Sequence, residues 1–251
     1  MIYCSSLNLI FIKTKKVGGT SFEIALSKYC SENDIITPIS EEDEKIRQNL
    51  KYQQPVNYSK INRSKFLINK KIRGDFRNHM SSKLIYKNLG KDLFQKATKI
   101  TIERDPLDFL ISMYYYDLRK INSYPAPSFK EWLAINYKLV MKNYNIAPKT
   151  GKYKADIILK YENLNEEIFN CKALPEDFLE TFKNLKAKSN FRSQKKITPE
   201  AFFKENNCQE WINKVYQLTE TNWINQYHFF HEKLIRKIKS NSEKIVNNYF
   251  K

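Results

Sequence analysis

Glycine and proline are sparse in this chain, with five glycines and eight prolines among 251 residues. That scarcity excludes a Pro/Gly-rich linker, a low-complexity tract and a collagen-like repeat. Cysteine and histidine are also few. The four cysteines, at 4, 30, 171 and 208, form no C-x-x-C pair, and the three histidines are dispersed. This usage predicts reduced thiols in a cytoplasmic protein rather than a disulfide framework or a zinc site. It also argues against a histidine-built metal centre. No apolar run approaches the roughly 18 residues that a bilayer-spanning helix needs. No basic region precedes the first apolar stretch, so residues Leu7 to Ile12 read as a first strand and not as a signal peptide. Acidic residues are in deficit as well, 27 against 44 lysines and arginines, giving a formal charge of +17. Such a balance favours anionic partners, whether nucleic acid, acidic glycan, anionic membrane or anionic cofactor. The excess is mostly lysine scattered among asparagine and isoleucine, the usual dress of a solvated surface.

What the chain does contain is enough apolar material for a sizeable core, at 41% hydrophobic and 14% aromatic residues. That fits one α/β domain with additions. We expect a single domain over residues 1–251, with an α/β core to about residue 198 and a helical region beyond. Its most informative stretch is Leu9-Ile-Phe-Ile-Lys-Thr-Lys-Lys-Val-Gly-Gly-Thr-Ser-Phe22. A short apolar run ends in lysines, then two glycines, then two hydroxyl residues opening a helix whose apolar members Phe22, Ala25, Leu26 and Tyr29 keep helical spacing. Glycines at a strand-to-helix turn let backbone N–H groups converge, and the helix N-terminus adds partial positive charge, a setting for phosphate or sulfate. The lysines precede the glycines, whereas an ATP-binding Walker loop has its lysine after the last glycine.

A second strand–turn–helix unit follows at Lys99-Ile-Thr-Ile-Glu-Arg-Asp-Pro-Leu-Asp-Phe-Leu-Ile-Ser-Met-Tyr-Tyr. Ile100 and Ile102 lie in a β-like run, Asp105 suits an N-cap, Pro106 suits the first helical position, and Asp108 can complete the cap. Arg104 brings a cation to this turn, and Ser112 lies eight residues on. Between the two units, Gly74-Asp-Phe-Arg-Asn-His-Met-Ser-Ser82 contains His79 and leads into a helix-like segment that Gly90 ends. Later, Ala155 to Leu164 reads as a buried strand entering a loop, with Glu162 as a capping or pairing group. From Pro199 the pattern is helical, anchored by Trp211, Val215, Leu218 and Trp223. The stretch from Glu232 to Asn248 is amphipathic and basic, with docking on the domain as its default role.

The motif Lys16-Val-Gly-Gly-Thr-Ser21 resembles the 5′-phosphosulfate loop of the PAPS-dependent sulfotransferases of the carbohydrate type, where PAPS is 3′-phosphoadenosine 5′-phosphosulfate. Arg104 with Ser112 is similar to that family's 3′-phosphate pair, and the strand ending in Tyr161-Glu162 is also similar to one of its elements. The resemblance implies a P-loop-like three-layer fold with a short, mostly parallel sheet flanked by helices. It implies a cofactor site of Lys15, Lys16, Val17, Gly18, Gly19, Thr20, Ser21, Arg104 and Ser112, with Lys188 and Arg192 in a basic loop over the phosphate. It further implies His79 as the base, Lys16 as a charge-stabilising catalytic group, 3′,5′-adenosine bisphosphate as product, no metal, and a hydroxyl-bearing glycan or glycoconjugate as acceptor. Golgi members carry a membrane anchor, so this chain corresponds to a soluble relative. Three features depart from the pattern. Lys15 stands where proline is common, so Lys13, Lys15 and Lys16 compete for one role; Glu103 stands beside Arg104; and the basic tail has no counterpart. A non-catalytic nucleic-acid-binding protein and an ATP-dependent phosphotransferase stay open as alternatives.

Overall fold

The computed structural model describes residues 1–61, 63–64, 67–68, 72–120, 125–185 and 197–220. It is an α/β fold built on a five-stranded mixed sheet in the order β3-β1-β2-β4-β5. The strands are β1 (Ile2–Cys4), β2 (Leu9–Ile12), β3 (Ile35–Ile36), β4 (Thr98–Glu103) and β5 (Ile157–Lys160). Strands β2, β4 and β5 run parallel, with Ile12 opposite Thr101 and Ile102 opposite Leu159. Strand β1 pairs antiparallel with both β2 and β3, so it alone is reversed.

The first strand is therefore Ile2–Cys4 and not the stretch from Leu7; Leu7 falls in the tight turn to β2. A three-residue strand is too short to show a period. The strand read at residues 155–164 is β5, Ile157–Lys160, in which only Leu159 is buried, because β5 is the sheet's edge.

The helices are α1 (Gly19–Ser27), α2 (Glu41–Asn49), α3 (Ser82–Leu89), α4 (Lys91–Lys96), α5 (Pro106–Leu118), α6 (Phe129–Asn136), α7 (Met141–Ile146), α8 (Leu164–Phe169), α9 (Phe178–Lys183) and α10 (Pro199–Glu205). Because side chains alternate along a strand, each sheet face acquires its own core. On one face Leu9, Phe11, Ile100 and Ile102 pack against α1, α8 and α9. Phe22 anchors that layer, with ring centroids 4.4 Å from Phe11 and 4.8 Å from Phe178. On the other face Tyr3, Ile10 and Ile12 meet Ile85 and Leu89 of α3 and Phe94 of α4. A third cluster joins α5, α6 and α10 with Val215 in the helical stretch 210–220, so residues 199–220 pack on α5.

Sequence signals set the ends of these helices as expected. Asp105 caps α5 by accepting from the Asp108 N–H at 2.9 Å, with Pro106 in the first position. Gly90, at φ 94°, ends α3 in a conformation that glycine adopts freely. Asp108 departs from its expected capping role: its carboxylate turns to Arg104, and Glu162 accepts from the Asp105 N–H at 2.6 Å instead. Among the described residues no helix is long and apolar enough to cross a membrane. Lys188, Arg192, Trp223, His228, His231 and the basic stretch 232–248 lie outside the described residues.

Candidate functional site

Parallel pairing of β2 with β4 brings both strand-to-helix turns to one edge of the sheet, where open α/β folds usually bind ligands. Residues 13–18 form the first turn. The Thr14 hydroxyl donates to the Ile102 carbonyl at 2.5 Å and ties this turn to β4. Lys15 is held through its backbone: its N–H donates to Asn143 Oδ1 at 2.8 Å, and Asn143 Nδ2 donates to its carbonyl at 3.0 Å. Nothing in the spacing marks Asn143, which comes from α7, 128 residues away in the chain.

Lys16 and Gly18 are left-handed, at φ 60° and 70°. Gly18 accepts that conformation without strain, whereas Lys16 holds it at a cost of about 1–2 kcal/mol. Gly19 answers a different need, because a Cβ there would lie 3.0 Å from Lys13 Cγ. The first-turn N–H groups of α1, at Gly19, Thr20 and Ser21, have no acceptor within the helix. They supply the dipole end that suits a phosphate or sulfate oxygen.

The three competing lysines have different surroundings. Lys13 is buried beneath the turn, with Nζ 2.7 Å from Glu23 Oε2. Glu23, wholly buried, also accepts from the Met1 amino group, which donates in turn to the Thr37 hydroxyl at 2.7 Å. Burial alone would push the Glu23 carboxyl up, but Lys13 and the amino group outweigh it and hold it at about 2. Lys13 is thus committed to the protein, whereas Lys15 and Lys16 are partly exposed. The Lys16 ammonium sits 4.4 Å from the centre of the Tyr116 ring, a cation–π contact. Tyr116 lies four residues after Ser112 on α5, so both occupy one helical face and Ser112 looks toward the side that Lys16 covers.

Arg104 joins the two turns directly. Its Nη1 donates to the Lys16 carbonyl at 2.7 Å, its Nε donates to Asp108 Oδ2 at 2.6 Å, and its guanidinium stacks 4.3 Å from the Tyr161 ring centre. The pairing with Asp108 and the bond to the Lys16 carbonyl spend part of the fork, so Arg104 is a strut first. Tyr161 also packs behind Gly18, where a Cβ would meet its ring at 3.5 Å. Glu103, beside Arg104, is paired with Lys149, with Lys160 at 3.7 Å and with the Tyr144 hydroxyl at 3.4 Å, and it lines one cavity with Thr14, Arg104 and Asn143. Those partners offset its charge.

His79 approaches from the third segment. It too is left-handed, at φ 54°, and its Nδ1 lies 3.2 Å from the Lys13 carbonyl. A carbonyl can only accept, so this bond places the ring proton on Nδ1 and leaves the Nε2 lone pair outward. Burial, then the nearby Lys13 charge, lowers its pKa to about 4. The imidazole is therefore neutral throughout the physiological range. The loop lysines, Arg104 and His79, read separately from the sequence, thus meet around one turn. Glu23, Asn143, Tyr116 and Tyr161 complete it and were not foreseen. Only Glu23 gave a signal, an acid inside the otherwise apolar run Phe22-Glu-Ile-Ala-Leu26.

Removing the Asn143 clamp tests this geometry. Asn143→Ala deletes two hydrogen bonds worth about 1 kcal/mol each. It should weaken anion binding at the turn several-fold in a phosphate or nucleotide titration while changing Tm by only a few degrees. Unchanged affinity would separate Asn143 from the site.

Comparison with protein-family models, curated proteins and solved structures gives no match.

Proposed function

We propose that this chain is a PAPS-dependent sulfotransferase with a P-loop-like core, acting on an acceptor hydroxyl, in keeping with its carbohydrate-type sequence motifs. The observation that carries this reading is the meeting of three separately spaced motifs around one turn: Arg104 2.7 Å from the Lys16 carbonyl, and His79 3.2 Å from the Lys13 carbonyl. The 5′-phosphosulfate occupies the 15–21 turn, against the first-turn N–H groups of α1 and the Lys15 and Lys16 ammoniums. The 3′-phosphate lies toward Arg104 and Ser112.

In the transfer step the acceptor oxygen forms a bond to sulfur as the bond from sulfur to the 5′-phosphate oxygen breaks in line. The acceptor proton passes to His79 Nε2, and the electron pair leaves with the phosphate oxygen, giving 3′,5′-adenosine bisphosphate and the sulfate ester. Lys16 and the α1 N–H groups stabilise charge on the leaving oxygen, preorganised before the reaction. The Nδ1 bond to the Lys13 carbonyl fixes the tautomer that exposes the Nε2 lone pair.

Against the phosphotransferase alternative, both acidic groups at the end of β4 are engaged: Glu103 by two lysines and a tyrosine, and Asp105 in capping the next helix. Release of 3′,5′-adenosine bisphosphate from PAPS, accelerated by a panel of hydroxyl-bearing glycans, tests the proposal. Accelerated release with the sulfuryl group recovered on one glycan is the expected result. A chain that turns over ATP with magnesium and ignores PAPS sinks it.

A further inference from the structure

Four cysteines far apart in sequence suggest isolated thiols, and all four are free. Two of them nevertheless converge. Cys4 ends β1 opposite Leu9, the first residue of β2, and Cys30 follows the C-terminus of α1. Because α1 runs back along the sheet from the 13–18 turn, both thiols reach the edge opposite that turn. The Asp34 carboxylate joins them there, and the sulfurs and a carboxylate oxygen all lie within 4.8 Å of one another.

We propose that Cys4, Cys30 and Asp34 form a binding site for one thiophilic divalent cation of the zinc and cadmium class, independent of the sulfotransferase reading. Three arguments support it. The first is geometric. Tetrahedral zinc with thiolates at about 2.3 Å sets sulfurs about 3.8 Å apart, so closing the site needs side-chain shifts of about 1 Å or less. The Ser6 hydroxyl, 3.2 Å from Cys4 Sγ, offers an oxygen for the fourth position.

The second argument is orientation. Asp34 is fully buried, and its carboxylate is aimed by the Ser5 N–H at 2.7 Å, the Ser5 hydroxyl at 2.5 Å and the Ser31 N–H at 2.7 Å. Metal-ligating carboxylates are typically held by such outer partners. A pair of thiols destined only for a disulfide gains nothing from a carboxylate beside them, since its charge opposes thiolate formation.

The third argument is charge. Two thiolates and one carboxylate sum to −3, which a divalent ion reduces to −1. The field of the buried Arg47 guanidinium, itself ion-paired through Nη1 with Glu44 at 2.8 Å, reaches Cys30 and offsets part of that remainder. Its Nε and Nη2 have no hydrogen-bond acceptor among the described residues. Binding releases the two thiol protons, so affinity rises with pH. The ion would tie together β1, the end of α1 and the loop entering β3, and so brace the helix that carries the candidate anion site.

The test is cadmium titration of the fully reduced, full-length chain, read as the sulfur-to-cadmium charge-transfer absorbance. One equivalent should develop the band, and zinc should compete it away. Cys171→Ser/Cys208→Ser should keep the band, and Cys30→Ser should weaken binding at least tenfold. Without any variant, zinc should slow alkylation of Cys4 and Cys30, but not of Cys171, by at least tenfold. Reduced protein that gives no band and no protection, or a band that survives in Cys4→Ser/Cys30→Ser, overturns the proposal.

Discussion

Glu23→Gln should destabilise the chain by roughly 3–5 kcal/mol, the usual cost of removing one partner from a buried ion pair. For a chain of this size that corresponds to a fall in Tm of about 10 °C. The reason lies in what the substitution leaves behind. Lys13 is nearly inaccessible, with its side chain 4% exposed, and the Met1 amino group is equally enclosed. Glutamine fills the space but cannot neutralise either cation.

Acid gives an independent view of the same group. Its folded carboxyl is held at about 2, below the ordinary 4.5. The stabilisation is therefore complete above pH 4.5 and is lost as the pH falls toward 2. The stability gap between wild type and Glu23→Gln should narrow over that window. In Lys13→Met/Glu23→Leu, which removes this pair but leaves the Met1 amino group without its carboxylate, only part of the loss should return. A Glu23→Gln protein that melts within about 2 °C of wild type contradicts the assignment of Lys13 as a buried structural lysine.

The second large effect concerns turnover. Under the proposed function, replacing His79 should lower kcat by about 10²–10⁴-fold, the range for loss of a general base, with nucleotide affinity nearly unchanged. Asparagine is the informative replacement because residue 79 is left-handed, a conformation that asparagine tolerates and alanine does not. A neutral imidazole with a pKa of about 4 also places the acid limb of the rate profile near pH 4 instead of near 6.5. Lys16→Ala should resemble His79→Asn in retaining the fold and losing rate. Lys13→Ala should lose stability first. If His79→Asn keeps full turnover, the proton goes elsewhere.

The elements carried by local chemistry were legible in the sequence. The left-handed Gly18, the Asp105-Pro106 helix start and the Gly90 helix stop each rest on a conformational preference of the residue itself. The alternation of β4 announces a strand because six residues suffice to show a period. Strands β1 and β3 have three and two residues, too few for any pattern, and their pairing decides that the sheet is mixed.

The site divides in the same way. Lys16 and Arg104 could be named from their motifs and His79 from the family resemblance, yet which lysine is committed to the core depends on Glu23 lying beneath the turn. The Asn143 clamp, and the Cys4–Cys30 approach through the return of α1, are products of tertiary packing. Arg104 shows the limit from the other side: its position was readable, but its engagement with Asp108 and the Lys16 carbonyl adds a bracing role to the expected phosphate contact.

The central claim is that one sheet edge holds both ends of a 3′-phosphorylated nucleotide, and thermal unfolding with 3′,5′-adenosine bisphosphate tests it most directly, alongside AMP and ATP at equal concentration. At about 100 times its dissociation constant a ligand adds roughly 2.7 kcal/mol, a rise in Tm of several degrees for a chain of this length. The account predicts that rise with the bisphosphate, little or none with AMP, and its reduction in Arg104→Ala. Equal shifts with all three nucleotides, or none with the bisphosphate at millimolar concentration, would contradict it.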